Sequence, residues 1–561
     1  MSYNLSMQFL NKVILSFLLV LIGLVSIFDL LSRDGHPITF DGHIHMTTMN
    51  QFAQSLNDGE FPVTWSNNFA NFGHPLPIIA HQLPAYLGAF LILIGISTEL
   101  SYLYLLSFFV IISGFISYKF FRKFASQALS LTAVAIFTLF PYRELNIYTR
   151  GGLPELMASI FLPVLLLGIW NLQQKKFSEA ILLLYLGILG TALTHPMMLI
   201  IFLLPVTAYF LYGLRKNDWQ KQVILFVTSS FLGLLSAAYY LVPLFLEMKY
   251  FYQSKMEKTI SSDAFLSLKQ LYDPTWFYTF THSGPRGNYI KLGTIEFSIL
   301  VISILLIFKI TFLPKNNFLK KIINKEKIKD LLFWTGISAL MIFLMLPISK
   351  FLYSLPIIYQ IQYPWRFLSA LQITIPLVFI FLVQIIKKLN NKYFLLGFIA
   401  LVIWFRVPQF YGKNYIVQPE SDYYFNQANL HSTNLNTIWS SNTEDYEIKT
   451  VQAKIIEGSG EFKVIEEKNA SRVYETSSNN ELRLIDYTFY FPGWKVYVDG
   501  SPIVIEYQDL NYRGLITYKV PAGSHQIKVI YEYSKTRLFS LFVTGFGLIT
   551  SAIYLFVNRK K

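Results

Sequence analysis

Apolar runs of 18 or more residues recur from one end of the chain to the other, each long enough to cross a bilayer core. Read by this pattern alone, the sequence predicts twelve spanning helices, at 12–32, 101–119, 126–142, 154–172, 178–195, 197–214, 222–246, 294–313, 331–349, 366–386, 393–409 and 537–557. One further apolar stretch, LPAYLGAFLILIGI (83–96), is short for a span and reads as an interfacial or re-entrant helix. The pattern changes between 410 and 536. There GEFKVIEE, ELRLIDYTFY, GWKVYVDG, SPIVIEY, LITYKV and HQIKVIYEY alternate with period two between DG and PAG turns, which predicts an antiparallel β-sandwich.

Composition sharpens this picture. Of the 561 residues 53% are hydrophobic and only 14% charged, as expected of a polytopic membrane protein. Without cysteine, disulfides, thiolate metal sites and cysteine nucleophiles are excluded. The net charge of +14 does not point to nucleic acid, because the cations sit in short loops between apolar runs. KFFRK (119–123), QQKK (173–176), RKNDWQK (215–221), KNNFLKKIINKEKIK (315–329), KKLNNK (387–392) and NRKK (558–561) fall on one side. Lys and Arg are roughly fourfold denser there than on the other side, which makes that side cytoplasmic and puts both termini inside. The first apolar run has no A-x-A-like cleavage site after it and reads as a retained helix. The predicted organisation is a transmembrane domain (1–409) with a large first outer loop (33–100), an outer β-rich domain (410–536) and a last helix with a basic tail (537–561).

Candidate chemistry collects outside. The first loop holds five of the nine histidines, with several acids and no Lys or Arg after Arg33. It opens with FDGHIH (40–45). Asp41 reads as a helix N-cap or as a general base facing a lipid-borne substrate. Asp41, His43 and His45 also make a D-x-H-x-H pattern, a candidate divalent metal site if extended. In YRELNIYTRGGLPELMA (142–158), Arg143 and Arg150 stand where a lipid phosphate would lie, or snorkel to the interface. Pro154 and Glu155 suit a first helical turn, so Glu155 either compensates the helix dipole or serves a site. QYPWRF (362–367) offers Tyr363 and Trp365 as interfacial anchors and Arg366 as a second phosphate contact. His195 reads as a packing histidine. THSGPRGNYIKLG (281–293), with His282, Arg286 and Lys291, reads as an acceptor-facing loop or a surface turn.

Taken together, FDGHIH after the first helix, FGHPLP before LPAYLGAFLILIG, YTRGGLPELMA, IQYPWRFL and the tail FYFPGWKVYVDG…VPAGSHQIKVIYEY resemble the YfhO-type bacterial membrane proteins. These are also called 6-pyruvoyl-tetrahydropterin synthase-related membrane proteins and belong to the GT-C superfamily of glycosyltransferases. The resemblance covers nearly the whole chain, although D-G-H replaces the adjacent acids or D-x-D of many relatives. It implies transfer of a sugar from a polyprenyl-phosphate donor to a cell-envelope glycan, teichoic-acid-like polymer or lipid, at the outer face of the cytoplasmic membrane. By position Asp41 becomes the base, with His43 and Glu155 as further catalytic candidates. Arg150, Arg366, Arg143, His74 and Trp365 become substrate contacts. No cofactor is certain, and a divalent metal on Asp41, His43 and His45 is a candidate. The rival expectations are a lipid-linked saccharide transporter, which would need polar groups at the bilayer midplane, and a non-catalytic assembly protein. The latter would hold a polymer on β-domain aromatics such as Trp494 and Tyr497.

Overall fold

The computed structural model describes residues 2–252, 260, 262–274, 290–312, 325–412, 414–424, 436–440, 446 and 449–559. Among the described residues nine helices are long and apolar enough to cross a membrane, from Leu10–Ser32 to Lys535–Arg559. Two more candidates are broken. Gln127–Thr138 bends by 43° into Pro141–Tyr148, and Trp219–Ser236 bends by 72° into Ala238–Tyr250. Counting each broken pair as one span gives up to eleven, against the twelve expected. The remaining segment forms the helix Pro196–Tyr212, whose 17 residues include Pro205. It lies at the short limit for a span.

The first break has a local cause. Pro141 starts the second helix of its pair, and Phe140 before it is extended (φ −68°, ψ 136°). A proline ring pushes the preceding residue out of helical conformation. In consequence YRELNIY is not the loop that its polar residues suggest but a short helix buried in the bundle. The second break leaves the Tyr239 amide outside the helical ladder, and Thr544 Oγ1 of the last helix accepts from it at 2.7 Å. The short apolar segment forms Gln82–Leu93, a 12-residue helix packed against Gly42–Asn57.

Strands form where the period-two runs stand. β1 (His36–Pro37) pairs with β2 (Tyr415–Ile416) and ties the first loop to the chain after the bundle. Eight more follow: β3 (Ala453–Glu457), β4 (Glu461–Glu467), β5 (Ser471–Ser478), β6 (Leu482–Phe489), β7 (Trp494–Val498), β8 (Ser501–Ile503), β9 (Leu515–Val520) and β10 (Gly523–Tyr531). They make a five-stranded sheet, β4-β5-β10-β7-β8, and a three-stranded sheet, β3-β6-β9, antiparallel throughout. Alternate residues of β7 (Trp494, Val496, Val498) turn inward and Lys495 outward. Asp499 and Gly500 both take positive φ (49° and 81°) in the turn to β8, as a two-residue hairpin with right-handed twist requires.

Both sheets share one core with Tyr474, Leu484, Trp494, Tyr518 and Ile527. Trp494 is therefore core and not a sugar-stacking platform, while Tyr497 at the surface donates to Glu532. The first loop is part of this packing. Trp65 meets Trp494 edge-on at 5.2 Å, and the Phe489 amide donates to the Phe72 carbonyl at 2.8 Å. This loop thus bridges the helical bundle and the β-region.

Candidate functional site

The site is assembled where the start of the first loop meets the chain after Tyr148. The Phe40 amide donates to Thr149 O at 3.1 Å and the Asp41 amide to Arg150 O at 2.7 Å. Gly151 makes this approach possible. It adopts φ +69°, and a Cβ there would lie 2.6 Å from the Gly42 nitrogen. The Tyr102 hydroxyl closes the contact on Gly151 O at 3.1 Å. A side chain at this left-handed, crowded position would force the two segments apart.

Asp41 sits at the N-cap of Gly42–Asn57, and its backbone carbonyl accepts the first helical bond from His45. Its side chain does not cap. Thr39 Oγ1 accepts from the Gly42 amide at 3.1 Å instead. The Asp41 carboxylate, 44% exposed, faces Arg150 at 3.6 Å.

From Arg150 a chain of charges runs inward to Glu155, which is 2% exposed in the first turn of Leu153–Ala158. Glu155 is met by Arg150 at 2.9 Å, Arg366 Nε at 3.0 Å, the Tyr142 hydroxyl at 2.5 Å and His195 Nε2 at 3.7 Å. Tyr142 and Asn146 also accept from Arg150, at 3.1 and 3.0 Å. Burial works against the charge on Arg150, but Glu155, Tyr142 and Asp41 raise its pKa well above the usual arginine value. Two guanidinium groups thus share one buried carboxylate; the more exposed Asp41 balances Arg150, while Arg366 has only the shared Glu155 as its carboxylate partner among the described residues.

Beside this centre lies a cavity of about 340 Å³. Its walls are largely apolar, from Ile44, Met49, Leu76, Ile79, Leu244 and Met248. Its polar tips are His45, His81, His195, Gln362 and Arg366. The volume lies near the lower end for small-molecule sites. His81 and His195 stack at 4.5 Å between ring centroids, and His45 lies 6.1 Å from His81. Burial pushes the pKa of His45 down to about 4, and burial with the neighbouring His195 holds that of His81 well below the usual range. Burial thus favours the neutral form of both rings. The Nδ1 atoms of His81 and His195 are buried and have no hydrogen-bond partner among the described residues.

The other expected residues lie elsewhere. Arg143 is inside the bundle, donating to Ser113 and Ser159 at 2.7 Å and to Gln372 at 3.4 Å, so it faces neither lipid nor cavity. His43 turns to Tyr423 at 5.6 Å while His45 turns to His81. Because Asp41 starts a helix, the D-x-H-x-H triplet does not converge, and no group of three ligands among the described residues could hold a metal. His74 packs between Phe69 and Phe251 in the part of the loop that leans on the β-region. Trp365 is buried and stacked at 4.3 Å on Tyr363, whose ring also lies 5.1 Å from the Arg366 guanidinium, instead of anchoring at a surface. Lys291 pairs with Asp273 at 3.2 Å, while His282 and Arg286 lie outside the described residues.

Sequence reasoning does not reach Tyr142, Asn146, His81 or Gln362, and the packing role expected of His195 leaves out its place at the cavity. The clustering of histidines in the first loop was the one available signal for His81. Other buried charges of the spans also gather at this end. Arg406 pairs with Glu296 and donates to Leu139 O at 2.9 Å, next to the break before Pro141.

No family model matches the chain. An uncharacterized protein of Lactococcus lactis subsp. cremoris (strain MG1363) is 27% identical over 225 residues, 38% of this chain. The match spans little more than a third of that relative, 36% of its length. Among solved structures, the apo crystal structure of the Archaeoglobus fulgidus oligosaccharyltransferase overlaps with a TM-score of 0.39 at 13% identity. That overlap covers 77% of this chain and 61% of the archaeal one. Neither match assigns this chain to a family.

Proposed function

We propose that the chain is a GT-C-type membrane glycosyltransferase. It moves a sugar from a polyprenyl-phosphate-linked donor to a cell-envelope glycan, teichoic-acid-like polymer or lipid at the outer face of the cytoplasmic membrane. The observation that carries this reading is the pair of arginines around Glu155, opening beside an apolar-walled cavity at one end of the bundle. A phosphodiester with an apolar tail matches both halves: its single negative charge meets the cavity-lining Arg366, which shares its one carboxylate with Arg150, and its chain suits the apolar walls. In the reaction the bond from the anomeric carbon to the phosphate oxygen breaks, and its electron pair stays on the phosphate. Arg366, at the cavity wall, and Arg150 stabilise that charge in a water-poor site. Glu155 holds both guanidinium groups in position. The acceptor hydroxyl forms the new bond to the anomeric carbon and gives its proton to Asp41, one helical turn before the cavity-lining His45. No step is assigned to a metal, because Asp41, His43 and His45 diverge.

The test is transfer from radiolabelled polyprenyl-phosphate sugars in membranes, comparing wild type with Asp41→Asn at equal expression. Removing a general base lowers the rate by roughly 100-fold or more. Because the Asp41 side chain is 44% exposed and caps nothing, the unfolding free energy stays within about 1 kcal/mol of wild type. Transfer undiminished in Asp41→Asn refutes the base assignment. Absence of transfer by wild type from every donor refutes the enzyme reading.

A further inference from the structure

Three spans that frame the site, Thr98–Phe121, Leu153–Gln173 and Phe177–Thr194, frame a second cavity at their opposite ends. Its volume is about 410 Å³. Leu167, Leu182 and Leu183 form an apolar wall, and Lys119, Arg122 and Lys123 line the rim. These cations belong to the KFFRK turn, which the catalytic reading does not use. Among the described residues none of Lys119, Arg122, Lys123 and the nearby Lys176 has a carboxylate partner within ion-pair distance, whereas Lys175 pairs with Asp218 at 2.7 Å. The one acid of the rim, Glu179, accepts from Asn171 at 3.1 Å. Trp170 stands between the two basic turns, with Lys123 4.5 Å and Lys176 6.0 Å from its ring. Arg122 also donates to the Ala125 carbonyl, which fixes it at the rim.

We propose that this groove binds an anionic phospholipid. The headgroup phosphate lies among Lys119, Arg122 and Lys123, the acyl chains run along Leu167, Leu182 and Leu183, and Trp170 marks the interface. Charge complementarity selects the occupant. Unneutralised cations around an apolar wall at a bilayer-facing helix end suit a lipid that is both anionic and apolar, and exclude a purely neutral one. A helix of 24 residues rises about 36 Å, so the groove and the catalytic centre lie on opposite membrane faces. The groove therefore holds a structural or regulatory lipid, not the sugar donor.

The experiment uses the full chain in nanodiscs and reads quenching of Trp170, isolated as the difference between wild type and Trp170→Phe. Brominated phosphatidylglycerol is compared with brominated phosphatidylcholine. Phosphatidylglycerol should quench Trp170 severalfold more at equal mole fraction, and Lys119→Gln/Arg122→Gln/Lys123→Gln should abolish that preference. A second arm needs no variant. Raising salt should shrink the preference in wild type, because exposed charges are screened over a few ångström at molar salt. Added inorganic phosphate at equal ionic strength should leave it unchanged if the occupant is a lipid. Equal quenching by both lipids, a preference that survives in the triple variant, or one indifferent to salt overturns the proposal. Displacement by inorganic phosphate assigns the groove to a free anion and overturns the lipid.

Discussion

Two buried carboxylates in this protein are held by the same kinds of group and differ in their cation partners and in their surroundings. In the β-region Asp486 meets one guanidinium, Arg472 at 3.2 Å, with the Tyr474 hydroxyl at 2.8 Å, Thr488 at 2.6 Å and Gln452 at 3.0 Å. In the bundle Glu155 meets two guanidinium groups, a tyrosine and a histidine. Asp486 is matched charge for charge and packed among side chains of both sheets. Glu155 is shared by two guanidinium groups, and one of them, Arg366, lines an open cavity. Balanced charge without adjoining space is a structural pin. A guanidinium that shares its carboxylate and faces a cavity can take a ligand of opposite sign. The composition of the cluster does not separate the two cases; its stoichiometry and its surroundings do.

The largest expected effects break this comparison directly. Asp486→Asn and Glu155→Gln each strand a buried guanidinium, and each should cost about 3–5 kcal/mol of stability, read as a fall in thermal midpoint. They should part company when polyprenyl phosphate is added. The lipid phosphate supplies the missing negative charge at Arg150 and Arg366 and should restore the midpoint of Glu155→Gln, leaving Asp486→Asn unchanged. Rescue of both, or of neither, removes the distinction.

A smaller effect concerns how the site is held. Gly151→Ala places a side chain at φ +69° against the Gly42 backbone, which should cost about 1–3 kcal/mol. It should lower transfer by moving Asp41 away from Arg150. A variant with full activity would show that the Asp41–Arg150 contact is dispensable.

The smallest effect is in pH. His45 titrates near 4 in the folded chain and near 6.5 when exposed. Between those values the unfolded state binds the extra proton, so stability falls as pH drops from about 6.5 to 4. His45→Gln should flatten that part of the slope in a midpoint-against-pH series. Transfer should show no His45 titration between pH 6 and 8. An unchanged slope in the variant would mean that His45 is not held neutral.

Much of the architecture was legible because long apolar runs and period-two runs are each dictated by local geometry. The short helix Gln82–Leu93 was legible by its length, and the Asp499–Gly500 hairpin by its residues. The kinks were not. Pro141 signals a break, but the polar residues Arg143 and Glu144 made the helix after it read as a loop, since their buried partners come from distant spans. In the site, Arg150, Glu155 and Arg366 were singled out by residue type at helix ends. Their mutual pairing was not, because it depends on two helices far apart in sequence meeting side by side. The Gly42 amide at the start of Gly42–Asn57 is capped by Thr39 and not by Asp41, which is left to face Arg150, a choice that no spacing rule resolves. His81 and His195 stack only because separate elements cross at the cavity.

The central claim is that a lipid phosphate enters the cavity beside Glu155. It is tested most directly by photolabelling with a diazirine-bearing polyprenyl phosphate, followed by peptide mapping. The account predicts label on cavity-lining segments, around Ile44–Met49, Pro196–Met197 and Leu244–Met248, lost with excess unlabelled lipid and in Arg366→Gln. Label spread over the outward-facing apolar surfaces of the spans, unaffected by competitor or by Arg366→Gln, would contradict it.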